Sequence, residues 1–336
     1  MAIGFLESPS SAVSTWSSSE ACGVLTLVGV EESFHLFNED LEIIDTGIVP
    51  HNATPNRLVP MAEHSSFFYG ATDGSVGFLT VAGDAVGKLE CSFASDRISG
   101  ESAVDSDIHR SGHLAAVLFN GADRDGFALL DPTRGSKVGK VPLGATGTPN
   151  GLRVVDSSQI AVASAIVSLF DVRTPQSKKG IPAQVLEAPD TAGRCFTCVD
   201  SDGLNFLIAG DSSGGVHFWD VRSPAAPLKA VHAHSAAVLS LSFQAGLLAS
   251  SSADGSISLW TVVDPAKVNP HKKSRRHLLS ELGAADSTSL KRCAVEGSGA
   301  ALGVSIENSS HSLSDRHVAY VTDTGVVALA RYSDWQ

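Results

Sequence analysis

One stretch of the sequence has the residue types and spacing of a hydrolase nucleophile. Residues 210–215 read GDSSGG, which fits the pattern G-x-S-x-G with Ser212 at its centre. A nucleophile elbow requires a strand, a strained turn and then a helix. The residues that follow, VHFWDVRSP, alternate in polarity and stop at Pro224, so they predict a second strand. We therefore expect Ser212 to be a turn residue and not a nucleophile.

Two further pairs have spacings that occur among metal ligands. Cys195 and Cys198 form a lone C-x-x-C, without a second Cys pair or a nearby His at ligand spacing. Residues three apart on a strand face opposite sides, so we interpret both as core cysteines. Of His232 and His234, we assign the first to a solvated loop and the second to a structural role. The sequence thus predicts no catalytic residue, no metal, no cofactor and no small-molecule substrate.

The bulk composition limits the classes of protein that fit. Of the 336 residues, 43% are hydrophobic and 18% are charged, which is enough apolar material for a large core. The formal net charge of −12 argues against direct nucleic-acid binding as the main function. The five cysteines are scattered, the N-terminal residues lack a signal-peptide pattern, and no apolar run approaches the roughly 18 residues of a membrane span. We expect a soluble intracellular protein without membrane insertion.

The elements that position these residues recur through the chain. Segments 210–222 and 251–263 both read as strand, glycine-containing turn and strand ending near a Trp. The same shape appears in five further segments, which are 28–39, 70–81, 120–132, 162–173 and 321–332. Strand-only repeats of about this length are typical of a β-propeller. We predict an all-β fold in which residues 1–336 form a single propeller of seven four-stranded blades.

Two features complete the predicted architecture. A longer spacing before the last repeat predicts an inserted loop at about 264–300, followed by a closing hairpin at 315–332. The insertion contains a basic run at 271–276, which fits either a nuclear-import signal or a solvated loop. Propellers are usually closed by strands from distant parts of the chain. We expect the apolar segment Ala2–Leu6 to pair beside Gly325–Ala330 and so remove two exposed sheet edges.

The clearest repeats, at about 190–222 and 230–262, resemble WD40 repeats. In the second, His234 precedes the first strand, Asp254 lies in the hairpin turn and Trp260 ends the third strand. The resemblance implies that these three side chains form a hydrogen-bonded chain through Ser250 or Ser252. It also implies corresponding structural positions in other repeats, namely Trp219 at a third-strand end and Asp73 and Asp323 in turns. In the Trp219 repeat, the corresponding turn position is occupied by Ser213.

Two successive repeats end in Asp-Val-Arg, at Asp171 to Arg173 and at Asp220 to Arg222. This ending resembles the motif through which WD40 substrate receptors bind the adaptor of cullin-4 ubiquitin ligases. These four residues are therefore candidate partner-binding residues. The alternative is structural, because an Arg at this position can pair with an Asp of the neighbouring blade.

The layout of the whole chain resembles the small WD-repeat nucleoporins of the outer-ring Y complex. The shared features are the single-propeller length, the two DVR[ST]P endings, the insertion after the clearest repeat and the late final hairpin, HVAYVTDTGVVALARY. The resemblance implies a non-enzymatic structural subunit of the nuclear pore, located at the nuclear envelope, that binds an α-solenoid nucleoporin. The alternatives are a cullin-4 substrate receptor in the nucleus and cytoplasm, another WD40 assembly protein, and, least favoured, a propeller enzyme.

Overall fold

The computed structural model confirms an all-β propeller of seven blades, each an antiparallel sheet of four strands. The structure describes these residues: 2–6, 8, 10–17, 24–50, 53–61, 66–82, 88–94, 102–109, 112–120, 125–144, 147–188, 193–203, 206–244, 247–261, 291–294, 299–307 and 316–335. Besides the strands, the described part contains two short 3-10 turns, at Ser177–Lys179 and Tyr332–Asp334.

The strands are numbered in chain order, and the blades are numbered from the first complete set of four. Blade 1 contains β2 (Ser10–Ser17), β3 (Val24–Val30), β4 (Ser33–Phe37) and β5 (Ile43–Ile48). Blade 2 contains β6 (Pro55–Pro60), β7 (Ser66–Ala71), β8 (Val76–Ala82) and β9 (Lys88–Ala94). Blade 3 contains β10 (Ser102–Ile108), β11 (Ala115–Asn120), β12 (Gly126–Asp131) and β13 (Ser136–Pro142). Blade 4 contains β14 (Gly151–Val154), β15 (Gln159–Ala163), β16 (Val167–Asp171) and β17 (Gln184–Leu186). Blade 5 contains β18 (Phe196–Ser201), β19 (Phe206–Asp211), β20 (Gly215–Asp220) and β21 (Lys229–His232). Blade 6 contains β22 (Val238–Gln244), β23 (Leu247–Ser252), β24 (Ser256–Thr261) and β25 (Lys291–Ala294). Blade 7 contains β26 (Ala301–Ile306), β27 (His317–Thr322), β28 (Val326–Arg331) and β1 (Ala2–Phe5).

The second strands of the blades are almost entirely buried, because each blade packs against a neighbour on both faces. All seven residues of β3 and all six of β19 are buried. A strand buried on both faces reads as a continuous apolar run, whereas a strand with one wet face alternates. The apolar clusters accordingly lie between blades. One of them joins Leu118 and Phe127 of blade 3 to Leu152 and Ile160 of blade 4.

The ring closes as the sequence predicts. β1 pairs antiparallel with β28, with Ala2 opposite Leu329 and Phe5 opposite Val326. The N-terminal strand therefore becomes the outermost strand of the last blade, and Leu6 extends the contact by donating its backbone N–H to Gly325 O at 2.8 Å. This arrangement leaves no gap in the ring between blades 7 and 1, whose facing side chains share a core cluster that includes Val28 and Val321.

Most of the predicted insertion at about 264–300, including the basic run at 271–276, lies outside the described residues. Near its end, however, Lys291–Ala294 forms β25, which pairs with β24 and completes blade 6. These four residues belong to the blade and not to a loop. A strand of only four residues, Lys-Arg-Cys-Ala, has too little alternation to be recognised from the sequence.

Candidate functional site

The GDSSGG stretch forms the turn between β19 and β20, as predicted. Gly214 adopts a φ of +92°, which favours glycine. The Ser212 backbone N–H donates to Cys195 O at 2.8 Å, and the Ser212 hydroxyl accepts the Cys195 N–H at 3.2 Å. Ser212 therefore joins this turn to the chain before β18. Its hydroxyl is used as a structural acceptor, and the nearby His217 bonds Asp211 and not Ser212.

Ser213 occupies the position at which other repeats have the turn acid, and the carboxylate that holds this turn is that of Asp211, two residues earlier. Asp211 Oδ1 accepts the backbone N–H of Ser213 at 2.7 Å and that of Gly215 at 2.9 Å. Its Oδ2 lies 2.8 Å from His217 Nε2. Burial alone would raise the pKa of Asp211, but the hydrogen bonds from His217, Gly215 and Ser213 outweigh burial and hold it well below its usual range. The turn is a structural polar cluster.

Blade 6 contains a hydrogen-bonded chain of Ser250, His234, Ser256 and Asp254, which includes the polar members that the WD40 resemblance implies and adds Ser256. His234 Nε2 lies 2.6 Å from Ser250 Oγ, and His234 Nδ1 lies 2.7 Å from Ser256 Oγ. Ser256 Oγ in turn donates to Asp254 Oδ1 at 2.6 Å. His234 and Asp254 are themselves 3.7 Å apart, so Ser256 relays the contact between them. Ser250, and not Ser252, is the serine bonded to the imidazole.

The two tryptophans contribute packing to the blades. Trp260 is 6% exposed and lies in the apolar cluster between blades 5 and 6 with Ile208 and Leu248. Trp219 is fully buried, stacks on His217 at 5.7 Å and meets Phe196 edge-on at 5.8 Å. The Trp219 indole N–H has no hydrogen-bond acceptor among the described residues. Trp219 therefore does not make the implied bond from a tryptophan into a polar chain, and its indole packs against the rings of His217 and Phe196.

The predicted turn acid of blade 2, Asp73, holds its turn through its carboxylate, whereas that of blade 7, Asp323, does not. Asp73 Oδ1 accepts the Ser75 N–H at 2.9 Å, as expected for a turn aspartate. In blade 7 the turn is closed by Thr322 in place of Asp323. Thr322 Oγ1 accepts the Val326 N–H at 3.0 Å and lies 2.9 Å from Thr324 Oγ1. Asp323 contributes its backbone N–H, which donates to Ala300 O at 3.1 Å.

The two Asp-Val-Arg endings adopt the same local structure on blades 4 and 5. Arg173 forms a two-pronged pair with Asp171, through Nε at 2.9 Å and Nη2 at 2.7 Å. Arg222 does the same with Asp220, with both contacts at 2.8 Å. The arginine side chains are 70% and 61% exposed. Each Arg thus pairs with the Asp of its own turn.

The innermost strands surround a polar central channel with a volume of about 510 Å³. Arg153 on β14 bonds Asp107 of blade 3 through Nη1 at 2.9 Å and Asp200 of blade 5 through Nε at 2.8 Å. Both carboxylates also accept backbone N–H groups of the next blade, Asp107 from Val154 and Asp200 from Phe243, at 2.7 Å each. The charged groups of this part of the channel are therefore paired between blades.

Sequence reasoning missed these three residues, although the sequence contains a signal for the two aspartates. The tetrapeptide VDSD occurs twice, at 104–107 and 199–202, and both copies include inner-strand residues. Asp105 in the first copy accepts the Leu152 N–H at 2.9 Å, which adds another bond between blades 3 and 4. Burial raises the pKa of Asp105, and Arg57 acts in the opposite direction. The VDSD repeat in two innermost strands therefore marks aspartates that accept backbone hydrogen bonds from the next blade.

The remaining candidates for chemistry have structural surroundings. Burial raises the pKa of the Cys198 thiol to about 12, which keeps it protonated and unreactive at neutral pH. His232 is the exposed last residue of β21 and not a loop residue. Within the described residues, no group of three or more His, Cys, Asp or Glu side chains is placed to hold a metal ion. In the same part of the chain, no helix is long and apolar enough to span a membrane.

The fold defines this chain as a seven-bladed β-propeller protein. No protein-family model matches the sequence, and the comparison with curated proteins found no match. Among solved structures, Raptor from Chaetomium thermophilum is similar over 98% of this chain, with a TM-score of 0.72 and 11% sequence identity. The chain spans 29% of the length of that Raptor chain. At this identity the likeness shows the propeller fold alone.

Proposed function

We propose that this protein is a non-enzymatic platform for protein–protein assembly and that it serves as a structural subunit of the nuclear pore outer ring. The first part, the non-enzymatic platform, rests on the observation that the polar side chains inside the ring hold the blades together. The groups with the strongest resemblance to reactive ones, Asp211 with His217, His234 with Asp254, and Arg153 with two aspartates, are all bonded within or between blades. Binding then belongs to the surface, where loops and outer strands are held on a rigid ring.

The second part, the nuclear pore, is supported by the sequence layout described above. A single propeller with two DVR[ST]P endings and an insertion before the last blade resembles the Y-complex nucleoporins. In this proposal the partner is an α-solenoid nucleoporin, and the protein is located at the nuclear envelope. The basic run at 271–276 is then unnecessary for location, because a subunit of a large assembly is retained there by its partners.

The test is purification and imaging of a tagged copy expressed at its native level. We expect a punctate nuclear rim and recovery of outer-ring nucleoporins. A copy lacking residues 268–282 should keep the rim, because partner contacts and not the basic run determine location. Diffuse cytoplasmic signal, without recovery of outer-ring nucleoporins, would reject the nuclear pore assignment while leaving the platform function open.

A second candidate function is substrate reception for a cullin-4 ubiquitin ligase. The favouring observation is that Arg173 and Arg222 are exposed, identically oriented relative to their aspartates and placed on adjacent blades. The double change Arg173→Ala and Arg222→Ala separates the two functions. It should leave the nuclear rim intact if the protein is a pore subunit. Recovery of a ligase adaptor by the unmodified protein, and its loss in the double variant, would favour the receptor.

A further inference from the structure

We propose that the outer rim of blades 3 and 4 is a docking surface for an extended acidic segment of a partner protein. The proposal rests on the proposed assembly function and adds to it the surface and the chemistry of the partner. We call this surface the basic rim, and it consists of Arg134, Lys137, Val138, Lys178, Lys179 and Ile181.

The charge of the basic rim is opposite to that of the whole protein. The full chain has 24 Lys and Arg against 36 Asp and Glu. Residues 125–188 instead have seven Lys and Arg against five Asp and Glu. Three of these cations and two of these acids are already paired, since Arg134 contacts Asp131, Arg173 contacts Asp171, and Arg153 is bonded in the central channel. Four lysines then remain against three acids. An acidic segment is therefore attracted to this rim and repelled by most of the remaining surface.

The basic side chains of the rim are exposed. The Arg134 side chain is 81% exposed in spite of its contact with Asp131. Lys137 lies on β13, and Lys178 and Lys179 belong to the 3-10 turn of blade 4; all three are exposed. This turn is held against the end of β13 by Gly180, which adopts a φ of +77° and whose added Cβ would lie 2.6 Å from Pro142 O. The two lysines of blade 4 thus lie near the Pro142 end of β13.

Exposed aliphatic side chains accompany the charges. Val138 on β13 is 65% exposed, and Ile181, which follows the 3-10 turn, is 52% exposed. Apolar side chains between cations suit the mixed side chains of a polypeptide better than a chain of phosphates. Together with the net charge of −12, they favour a protein segment over a nucleic acid as the occupant.

The backbone of β13 explains why the segment should be extended. β13 is the last strand of its sheet, and within the described residues no strand pairs with its outer edge. An extended segment can add there as a fifth strand through backbone hydrogen bonds. Lysines on an edge strand discourage pairing between copies of the same chain. The same lysines select an acidic strand, because only opposite charges are favourable across the edge.

A bulge in β13 also specifies the spacing of the acids. The pairing with β12 shifts between Leu129 and Leu130, so that Lys137 is opposite Leu130 and Lys140 is opposite Ala128. Leu130 and Ala128 are two apart and point to the same face of the sheet. Lys137 and Lys140 therefore share that face although they are three apart. A regular added strand would place an acidic residue opposite Lys137. The position two residues along would lie opposite Lys140, whose ammonium is 4.0 Å from the centre of the Phe119 ring, so Lys137 is the main charge contact.

The test uses a fluorescent synthetic peptide of about a dozen residues in which Glu alternates with Val or Thr, with fluorescence anisotropy as the readout and the full-length protein as receptor. We expect Lys137→Glu to weaken binding about tenfold, the scale of one charge-assisted contact. Lys178→Glu tests the other blade independently if the first variant fails to fold. Arg194→Glu is the matched control, since Arg194 is an exposed arginine before β18, away from the rim, and should leave binding unchanged. The same peptide with Gln for each Glu should bind about tenfold more weakly or not at all.

Three outcomes would overturn the docking surface. They are absence of binding, equal weakening by Arg194→Glu, and tighter binding of a single-stranded RNA of equal charge, which would indicate a nucleic-acid surface. These outcomes are distinguishable from failure of the proposed function. Localisation to the nuclear envelope without peptide binding rejects only the docking surface. Peptide binding with diffuse cytoplasmic localisation rejects only the nuclear pore assignment.

Discussion

The guanidinium of Arg153 lies 2.9 Å from the carboxylate of Asp107, so that a cation of blade 4 is bonded to an anion of blade 3. The same guanidinium reaches Asp200 of blade 5. The Arg153 side chain is 16% exposed, and the two carboxylates are almost inaccessible to solvent. A single arginine therefore links three consecutive blades at the wall of the central channel.

We expect Arg153→Ala to lower the free energy of unfolding by about 3–5 kcal/mol, because it leaves two buried carboxylates without their cation. Urea unfolding measures the change. Arg173→Ala is the control, since it removes an exposed arginine from an equally short contact and should leave the unfolding free energy unchanged. Equal behaviour of the two variants would contradict the linking role of Arg153.

Trp260 and Ser250 should separate packing from hydrogen bonding in blade 6. Trp260→Ala should cost about 3–5 kcal/mol, because it removes a large buried side chain. Trp260→Phe should cost much less, since the polar chain runs through Ser250, His234 and Ser256. Ser250→Ala should destabilise by about 1–3 kcal/mol, because it leaves the buried His234 nitrogen without its partner. If Trp260→Phe proves as damaging as Trp260→Ala, the indole has a polar role.

Gly214 and Gly193 provide a matched pair in left-handed conformations, with φ of +92° and +79°. A Cβ at Gly214 would lie 2.1 Å from His234 O, whereas a Cβ at Gly193 would meet nothing within 4 Å. Gly193→Ala should cost only backbone strain, about 1 kcal/mol. Gly214→Ala should cost clearly more, because the turn must also separate from blade 6. Thermal unfolding of both variants measures the difference, and similar melting temperatures would show that the turn can shift freely.

Removal of residues 1–7 should lower the melting temperature by several degrees or more, since it deletes β1 and opens the outer edge of blade 7. The truncated protein should also aggregate at lower concentration, because β28 then presents an unpaired edge. Differential scanning calorimetry and light scattering test the two effects. An unchanged melting curve would mean that β1 contributes nothing to closure.

Acid should destabilise the protein through Asp211 and Asp254. Burial alone would raise both pKa values, but the hydrogen bonds that these carboxylates accept outweigh burial and lower them. A depressed pKa adds stability above the unfolded value, near pH 4, and this stability is lost as the pH falls from there through the folded pKa. Asp254→Asn should flatten that part of the stability profile. Asp40→Asn, at an exposed carboxylate, is the control and should preserve it.

The blades were predictable because each one repeats the same strand–turn–strand pattern and because a single apolar segment was suitable to close the ring. The turn chemistry was less predictable. Asp211 holds the turn that contains Ser213, and Thr322 in place of Asp323 holds the turn of blade 7, since the acceptor depends on where each strand ends. Arg153 escaped prediction because its partners, 46 and 47 residues away, become neighbours only when inner strands line up around the channel.

The pairing of β1 with β28 determines which part of the ring can fold last during synthesis. β1 is made before the other strands of the ring, and its partner is made more than 300 residues later. At translation rates of about 5–20 residues per second, β1 waits for roughly a quarter of a minute to one minute. Six blades can form before β28 is made, but the seventh needs both distant strands at once. The newly made ring therefore stays open longest at the junction of blades 7 and 1. Unpaired strand edges are exposed there for the longest time, so this junction is where a chaperone would bind.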